Sequence, residues 1–269
     1  MPTVVLTGAT RGIGRAAAVE LARRGAEVAI VGRDADRVRE TAEEAGGTVH
    51  QHVADLTRMD EVRRLAVELL DRYPRIDVLA NNAGALFTSR HVTPDGFEQT
   101  FALNHLAPFL LTNLLMDRLT ESGARVVTTA SDAHKGGVLD LDDLQAEHGR
   151  YRPGRAYARS KLCNVLFTRE LQRRRPELAV NCFHPGVIRS GFAKNDGALA
   201  RVGATLIGPF LGSPERGGAR LVWLALDPAA GALRGRYLEK NRPVEPSAAA
   251  RDDRLAAELW ERSAQLVGA

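Results

Sequence analysis

The sequence predicts an α/β protein in which a doubly wound parallel sheet of about seven strands carries helices on both faces. Short β-branched runs alternate with longer segments whose apolar residues recur at helical spacing. Strand candidates such as Val4-Val5-Leu6 are apolar at every position, which is typical of strands covered on both faces. Alternating strands and helices favour right-handed crossovers and therefore a parallel sheet. The strand candidates are residues 3–7, 27–31, 48–53, 78–81, 125–130, 179–183 and 236–239.

Length and composition favour one folded domain. The 269 residues contain no linker, internal repeat or low-complexity segment, so we expect a single domain over residues 1–269. Hydrophobic residues at 44% and charged residues at 26% exclude a disordered chain. Cys163 and Cys182 lie among apolar residues without ligand spacing, which predicts buried thiols and no metal site. Residues 191–214, rich in glycine and alanine, are expected to form a partly helical lid over the substrate.

The charge pattern argues against a nucleic-acid partner. The net charge is +4, and its cations are scattered among acids rather than clustered on one face. The most apolar stretch, residues 101–116, is interrupted by polar residues and a proline, so no membrane span is expected. No basic segment precedes the first strand candidate, which argues against a signal peptide. A soluble, cytoplasmic protein is therefore expected.

A glycine-rich turn joins the first strand candidate to the first helix candidate. Its sequence is Thr7-Gly8-Ala9-Thr10-Arg11-Gly12-Ile13-Gly14. Glycine tolerates the backbone angles of a tight turn and leaves room for a pyrophosphate at a helix N-terminus. The spacing differs from Gly-x-Gly-x-x-Gly, and a simple tight turn is an alternative. The position within a strand–helix–strand unit favours a nucleotide site.

A second motif, Tyr157-Ala-Arg-Ser-Lys161, places a phenol and an ammonium group on one face of a helix. A free tyrosine has a pKa of about 10 and is a poor acid or base near neutral pH, but a nearby cation lowers that pKa. The chain contains only four lysines, which makes one at this spacing informative. Alone, the pattern is typical of a solvated helix face. After this glycine turn, it predicts a proton-transfer pair.

These motifs resemble those of the short-chain dehydrogenase/reductase family, whose glycine turn is Thr-Gly-x3-Gly-Ile-Gly. The resemblance spans essentially the whole chain and implies a Rossmann fold with a nicotinamide cofactor. Three further features are similar to the retinol dehydrogenase-like branch: a separation of 26 residues between Ser131 and Tyr157, the triplets Asn104-His105-Leu106 and Ser160-Lys161-Leu162, and the terminal Leu259-Trp260-Glu261.

The resemblance implies a catalytic set of Asn104, Ser131, Tyr157 and Lys161. Ser131 would polarise the substrate carbonyl, and Asn104 would hold a water near Lys161. For Ser131 the alternative is a strand-end serine that caps the next turn. We interpret His105 as a packing residue and His134 as a loop residue that can contact the substrate.

Cofactor contacts are implied at the ends of successive strands, where Asn81 would instead bridge neighbouring strand ends. Ser190 stands where the family usually has threonine. The implied contacts are Gly8, Thr10, Arg11, Gly12, Ile13, Gly14, Arg33, Asp55, Leu56, Asn82, Ala83, Gly84, Tyr157, Lys161, Pro185, Gly186, Ile188 and Ser190.

The end of the second strand candidate, Val31-Gly32-Arg33-Asp34, favours NADP(H) over NAD(H). A carboxylate at this place would accept hydrogen bonds from a ribose diol and repel a 2′-phosphate. Arg33 can instead pair with that phosphate, and Arg11 points to the same neighbourhood. Asp34 precedes a helical pattern and is interpreted as its N-cap.

The sequence therefore predicts an NADP(H)-dependent oxidoreductase that interconverts a ketone or aldehyde and an alcohol, with Tyr157 as the acid/base. The apolar character of residues 191–214 favours a hydrophobic small-molecule substrate and a ketoreductase, with a place in secondary metabolism. An epimerase or dehydratase of the same fold and a non-catalytic NADP-binding regulator are the alternatives. Substrate identity, direction and homo-oligomer formation are left open.

Overall fold

The computed structural model describes residues 1–186 and 213–269, which form one sheet with helices on both faces. The strand order is β3-β2-β1-β4-β5-β6-β7-β8. The first seven strands are parallel, and β8 pairs antiparallel with β7. The strands are β1 (Thr3–Thr7), β2 (Glu27–Gly32), β3 (Val49–Val53), β4 (Val78–Asn81), β5 (Arg125–Thr129), β6 (Ala179–His184), β7 (Arg236–Glu239) and β8 (Arg242–Val244).

The helices of the described residues follow the strands in the predicted alternation. They are α1 (Gly12–Arg23), α2 (Ala35–Ala45), α3 (Met59–Arg72), α4 (Gln99–Phe101), α5 (Ala107–Leu114), α6 (Met116–Ser122), α7 (Pro153–Arg174), α8 (Pro214–Leu226), α9 (Pro228–Gly231) and α10 (Asp253–Val267). A π-helical turn, Ala102–Leu106, joins α4 to α5, and 3-10 turns occupy Asp132–Gly136 and Ala249–Arg251. None of the helices in these two ranges is long and apolar enough to cross a membrane.

The predicted fold class is confirmed, but the sheet has eight strands rather than about seven. β8 is three residues long and contains Pro243, so it lacks the apolar run that marks the other strands. It is an edge strand, where a proline is tolerated because one side needs no ladder hydrogen bond. Lys240 and Asn241 form the hairpin turn before it, with φ of 50° and 62°.

The buried side chains of the sheet divide between two apolar layers. Val4 and Leu6 of β1 pack in the layer with α1 and α8, while Val5 packs in the layer with α3, α5 and α7. This alternation follows from the two-residue period of a strand, whose successive side chains point to opposite faces. The strand order reverses between β1 and β4, so a crevice opens there at the carboxyl ends of the strands.

Candidate active site

A cleft of about 470 Å³ lies at the carboxyl edge of the sheet, in the crevice beside β1 and β4. It is lined by every predicted cofactor contact within the described residues, from the glycine turn through Arg33, Asp55, Leu56, Asn82, Ala83, Gly84, Tyr157, Lys161, Pro185 and Gly186. Ser131 lines it as well. Ile188, Ser190 and most of the predicted lid lie outside the described residues.

The glycine turn forms a cradle that side chains would fill. A Cβ on Gly14 would lie 2.1 Å from the Gly8 carbonyl oxygen, and Gly8 itself has φ of +65°. Arg11 at the N-cap of α1 makes no side-chain capping hydrogen bond, and the first turn of α1 carries no acid. The N-terminal backbone N–H groups of α1 are therefore suited to bind a phosphate.

Three arginines line the cleft: Arg11 at the N-cap of α1, Arg33 directly after β2, and Arg37 in the first turn of α2. Asp34 also lines it, but its carboxylate accepts the Arg37 backbone N–H at 3.2 Å and lies 3.4 Å from Arg37 Nε. Asp34 thus caps α2, as its position before that helix suggests. Sequence reasoning missed Arg37 as a cleft residue, although its place in the first turn of the helix that follows Arg33 was available as a signal.

Asn82, rather than Asn81, bridges the neighbouring strand ends. Asn82 Nδ2 donates to the Thr7 and Gly8 carbonyls at 3.0 and 3.3 Å, and its Oδ1 accepts from Thr129 Oγ1 at 3.1 Å. Asn81 is buried and donates to Thr112 Oγ1 of α5 at 3.0 Å. The prediction for Asn81 is therefore wrong in its partner. Asn82 holds the crevice together as well as lining it.

The side chains of Ser131, Tyr157 and Lys161 converge at the other end of the cleft. Tyr157 and Lys161 lie one turn apart on α7, which starts with Pro153 in its first turn. Lys161 Nζ donates to the Thr129 carbonyl at 2.8 Å and lies 5.6 Å from the Tyr157 ring centroid. Ser131 follows β5, and its hydroxyl is hydrogen-bonded to Tyr157. Ser131 Oγ also accepts the Ala133 N–H at 3.2 Å, so the capping role proposed as its alternative is present too.

Burial dominates the protonation of this pair. It raises the pKa of Tyr157 to about 12, while the hydrogen bond with Ser131 acts in the opposite direction. It lowers the pKa of Lys161 to about 8. Near neutral pH the cleft therefore presents a protonated phenol beside an ammonium group. This arrangement can donate a proton and then stabilise the phenolate that remains.

Asn104 lies in the π-helical turn and is fully buried rather than exposed in the cleft. Its Oδ1 accepts the Ala85 N–H at 2.9 Å, and its Nδ2 donates to the Ala85 carbonyl and to Ser160 Oγ at 3.0 and 2.9 Å. The side chain therefore fixes the segment after β4 against α7. A Cβ on Gly84 would lie 3.1 Å from Asn104 Oδ1 and 3.4 Å from Lys161 Nζ, which places Asn104 beside the lysine.

The structure agrees with the prediction made for one histidine and contradicts the prediction made for another. His105 is buried beside Phe101, Phe109 and Phe167, and burial lowers its pKa to about 3, in line with a packing residue. His134 is also fully buried, with both ring nitrogens in hydrogen bonds. The prediction that it can contact the substrate is therefore wrong, because the 3-10 turn directs its ring into the protein.

The cleft is also lined by apolar residues that sequence reasoning did not single out. Leu86, Phe87 and Leu103 line it together with His184. The first two come two and three residues after the Asn82-Ala83-Gly84 motif, which is the signal that could have found them. His184 ends β6, and its Nδ1 accepts the Asp132 backbone N–H at 3.3 Å.

The sequence model of the short chain dehydrogenase family matches residues 2–199. The chain belongs to this family. This short-chain dehydrogenase is 45% identical over 270 residues to a candidate daunorubicin C-13 ketoreductase from Streptomyces sp. (strain C5), with 99% of the chain and 92% of the relative covered. It is 37% identical over 279 residues to retinol dehydrogenase 13 of Homo sapiens, with 99% and 84% covered.

Among solved structures, the short-chain dehydrogenase is similar to an uncharacterized protein from Mycobacterium paratuberculosis. The TM-score is 0.80 and the identity is 36%, with 100% of this chain and 94% of the other covered. The relatives confirm the retinol dehydrogenase-like branch predicted from the sequence. The protein is thus an oxidoreductase of a family that acts on alcohols and carbonyls with a nicotinamide cofactor. The glycine cradle and the uncapped start of α1 fit the pyrophosphate of such a cofactor.

Proposed function

We propose that the protein is an NADP(H)-dependent ketoreductase that converts a ketone or aldehyde on a hydrophobic small molecule to the alcohol. One observation carries this proposal: Ser131, Tyr157 and Lys161 come together in the cleft that Leu86 and Phe87 also line. A proton donor, a carbonyl-binding hydroxyl and an apolar surface are the parts that such a reduction needs.

In the proposed mechanism, the bound cofactor supplies the hydride that reaches the carbonyl carbon. The Ser131 hydroxyl orients the carbonyl oxygen, and the Tyr157 phenol gives that oxygen its proton. The high pKa of Tyr157 keeps the phenol protonated until the oxygen becomes basic. The phenolate left behind is stabilised by the hydrogen bond with Ser131 and by the Lys161 ammonium. Lys161 would also bond the ribose. Asn104 holds the segment after β4 in place through its hydrogen bond with Ala85.

The preference for NADP(H) is supported by the charges at the end of β2. Arg11, Arg33 and Arg37 line this part of the cleft, and a guanidinium pairs well with a 2′-phosphate. NAD(H) binding would favour a carboxylate free to accept from the ribose diol. The nearest candidate, Asp34, is already occupied by the N-terminus of α2 and by Arg37.

A hydrophobic substrate is supported by the apolar residues Leu86, Phe87 and Leu103, which line the same cleft as Tyr157. The names of the two relatives point the same way, since retinol is a long apolar alcohol and daunorubicin contains a polycyclic aromatic ring system. The proposal includes a role in secondary metabolism, supported by the daunorubicin ketoreductase relative, and a cytoplasmic location, supported by two buried free cysteines.

The proposal is tested by following NADPH oxidation with a panel of carbonyl compounds. The panel contains daunorubicin, retinaldehyde and acetophenone, with pyruvate as a charged control. We expect turnover with an apolar member, none with pyruvate, and none in Tyr157→Phe. Binding of NADPH without oxidation by any carbonyl compound would overturn the proposal and favour the epimerase or regulator alternatives.

A further inference from the structure

We propose that His134 is a positioning residue for the catalytic serine: its neutral ring holds the Ser131 carbonyl and ties the turn after β5 to Ser247. The proposal rests on the proposed function, because it assigns Ser131 the carbonyl-binding role. His134 does not line the cleft, so any effect it has on the reaction passes through Ser131.

The hydrogen bonds of the ring admit one tautomer. Nε2 lies 3.2 Å from the backbone nitrogen of Ser247, which is a donor, so Nε2 must accept. Nδ1 lies 2.8 Å from the Ser131 carbonyl oxygen, which is an acceptor, so Nδ1 must carry the proton. A protonated ring would set Nε2–H against the Ser247 N–H. Only the neutral Nδ1–H form satisfies both partners.

The Ser131 backbone is held from several sides. Its carbonyl also accepts the His134 backbone N–H at 3.1 Å, and the next residue, Asp132, donates its N–H to His184 Nδ1. The His134 ring packs edge-on against Tyr237 of β7, with the centroids 4.7 Å apart. These contacts fix the backbone that carries the Ser131 hydroxyl, whose direction decides whether it reaches both Tyr157 and the substrate.

Charged groups of both signs surround the ring, and burial keeps it neutral. Asp132 and Lys135 act on it from its own turn, and Glu239 and Tyr237 face it from β7. Lys135 pairs with Asp132 at 2.5 Å and with Glu239 at 3.3 Å, which offsets their charges. Burial is the largest influence and lowers the pKa of His134 below its ordinary value. The side chain is also fully buried, so water does not compete for either nitrogen.

Two isosteric variants separate the two hydrogen bonds. The amide of His134→Asn falls near Nδ1 and can still donate to the Ser131 carbonyl. The amide of His134→Gln falls near Nε2 and can accept from Ser247 but leaves the Ser131 carbonyl without its side-chain donor. Each variant is compared with the wild-type protein for kcat with the panel compound reduced fastest, for the NADPH dissociation constant, and for the melting temperature.

We expect His134→Gln to lower kcat by about tenfold, the effect of losing one hydrogen bond, with the NADPH dissociation constant unchanged. We expect His134→Asn to restore kcat to within about threefold of wild type while lowering the melting temperature, because Ser247 loses its acceptor. Equal kcat losses in both variants, or a kcat loss that follows NADPH affinity, would show a merely structural role and overturn the proposal.

A second measurement uses the wild-type protein alone and does not require turnover. Nitrogen NMR of the histidine-labelled wild-type protein, with its ring resonances assigned, should show the His134 ring neutral with its proton on Nδ1 at a pH where free histidine is protonated. His105, whose pKa burial lowers to about 3, is neutral there as well and is told apart by its assignment. A ring that carries its proton on Nε2, or that is charged at neutral pH, would overturn the proposal. If the wild-type protein reduces none of the panel, the proposed function fails, and this tautomer still decides whether the neutral His134 ring holds the Ser131 carbonyl.

Discussion

The Lys161 ammonium lies 5.6 Å from the centroid of the Tyr157 ring while it donates to the Thr129 carbonyl. Burial moves the two pKa values apart, to about 12 for Tyr157 and about 8 for Lys161. Because the lysine titrates first as pH rises, its charge sets the upper pH limit of the pair.

The first prediction concerns pH. Reduction needs the Lys161 ammonium, which is present below a pH of about 8 and is lost above it. We expect kcat/KM for NADPH to fall about tenfold for each pH unit on the alkaline side, because this parameter reports the free enzyme. Steady-state kinetics at saturating carbonyl substrate measure it. The Lys161→Arg enzyme keeps its cation at high pH, so we expect a lower kcat/KM for NADPH that does not fall on the alkaline side. An unchanged kcat/KM well above the lysine pKa would contradict the assignment.

The second prediction is that the lysine weakens the cofactor-free fold. A lysine whose pKa is lower in the folded state than in the unfolded state opposes folding wherever the unfolded side chain is charged. Lys161→Met should therefore raise the free energy of unfolding by about 2 kcal/mol near neutral pH. The gain should fade as pH rises from about 8 towards 10.5.

Urea unfolding followed by circular dichroism measures this change. Lys240→Met is the matched control, because Lys240 is exposed and lies in the β7–β8 turn. A destabilised Lys161→Met protein would show that the hydrogen bond to Thr129 outweighs the burial of the charge.

The third prediction concerns Tyr157. Tyr157→Phe removes the proton donor but keeps the ring that lines the cleft, so we expect kcat to fall by about a thousandfold. NADPH binding, followed by fluorescence, should change little. A residual rate near that of the wild-type protein would remove Tyr157 from the proposed role.

The fourth prediction concerns cofactor choice. Arg33→Ala should raise KM for NADPH by about tenfold while leaving KM for NADH nearly unchanged, because a charge-assisted bond to the 2′-phosphate is lost. Arg33→Asp should invert the preference. Arg39→Ala is the control, since Arg39 is exposed, pairs with Asp36 and does not line the cleft. A wild-type KM for NADPH no lower than that for NADH would refute the cofactor assignment.

The fifth prediction uses the glycine cradle. A Cβ on Gly14 would collide with the Gly8 carbonyl at 2.1 Å and with Asn82 Nδ2 at 2.7 Å. We expect Gly14→Ala to abolish measurable NADPH binding and to lower the melting temperature. Gly154→Ala, also in a helix but with nothing within 4 Å of the added Cβ, should change neither. Normal NADPH affinity in Gly14→Ala would show that the turn can open without loss of the site.

The features that could be predicted from the sequence are those set by local spacing. Tyr157 and Lys161 share a helix face because they lie four residues apart, and the glycine turn follows β1 directly. Asp34 caps α2 because of its position before that helix. In each case a few neighbouring residues determine the geometry.

The features that could not be predicted depend on partners far away in the chain. Asn82 and Asn81 are adjacent, and only the registry of β4 against β1 and β5 decides which amide bridges the strand ends. His134 is buried because Ser247, more than a hundred residues later, covers it. The eighth strand was missed because an edge strand of three residues with a proline carries no apolar signal.

The two ends of the cleft are built from separate stretches of chain. Arg11, Arg33 and Arg37 lie between β1 and β3, whereas Ser131, Tyr157 and Lys161 come from β5 onwards. Substitutions at distant sites without shared partners combine additively. The preference between NADP(H) and NAD(H) can therefore change, in evolution or by design, without a change in the pKa of Tyr157. The two ends of the cleft can be redesigned one at a time.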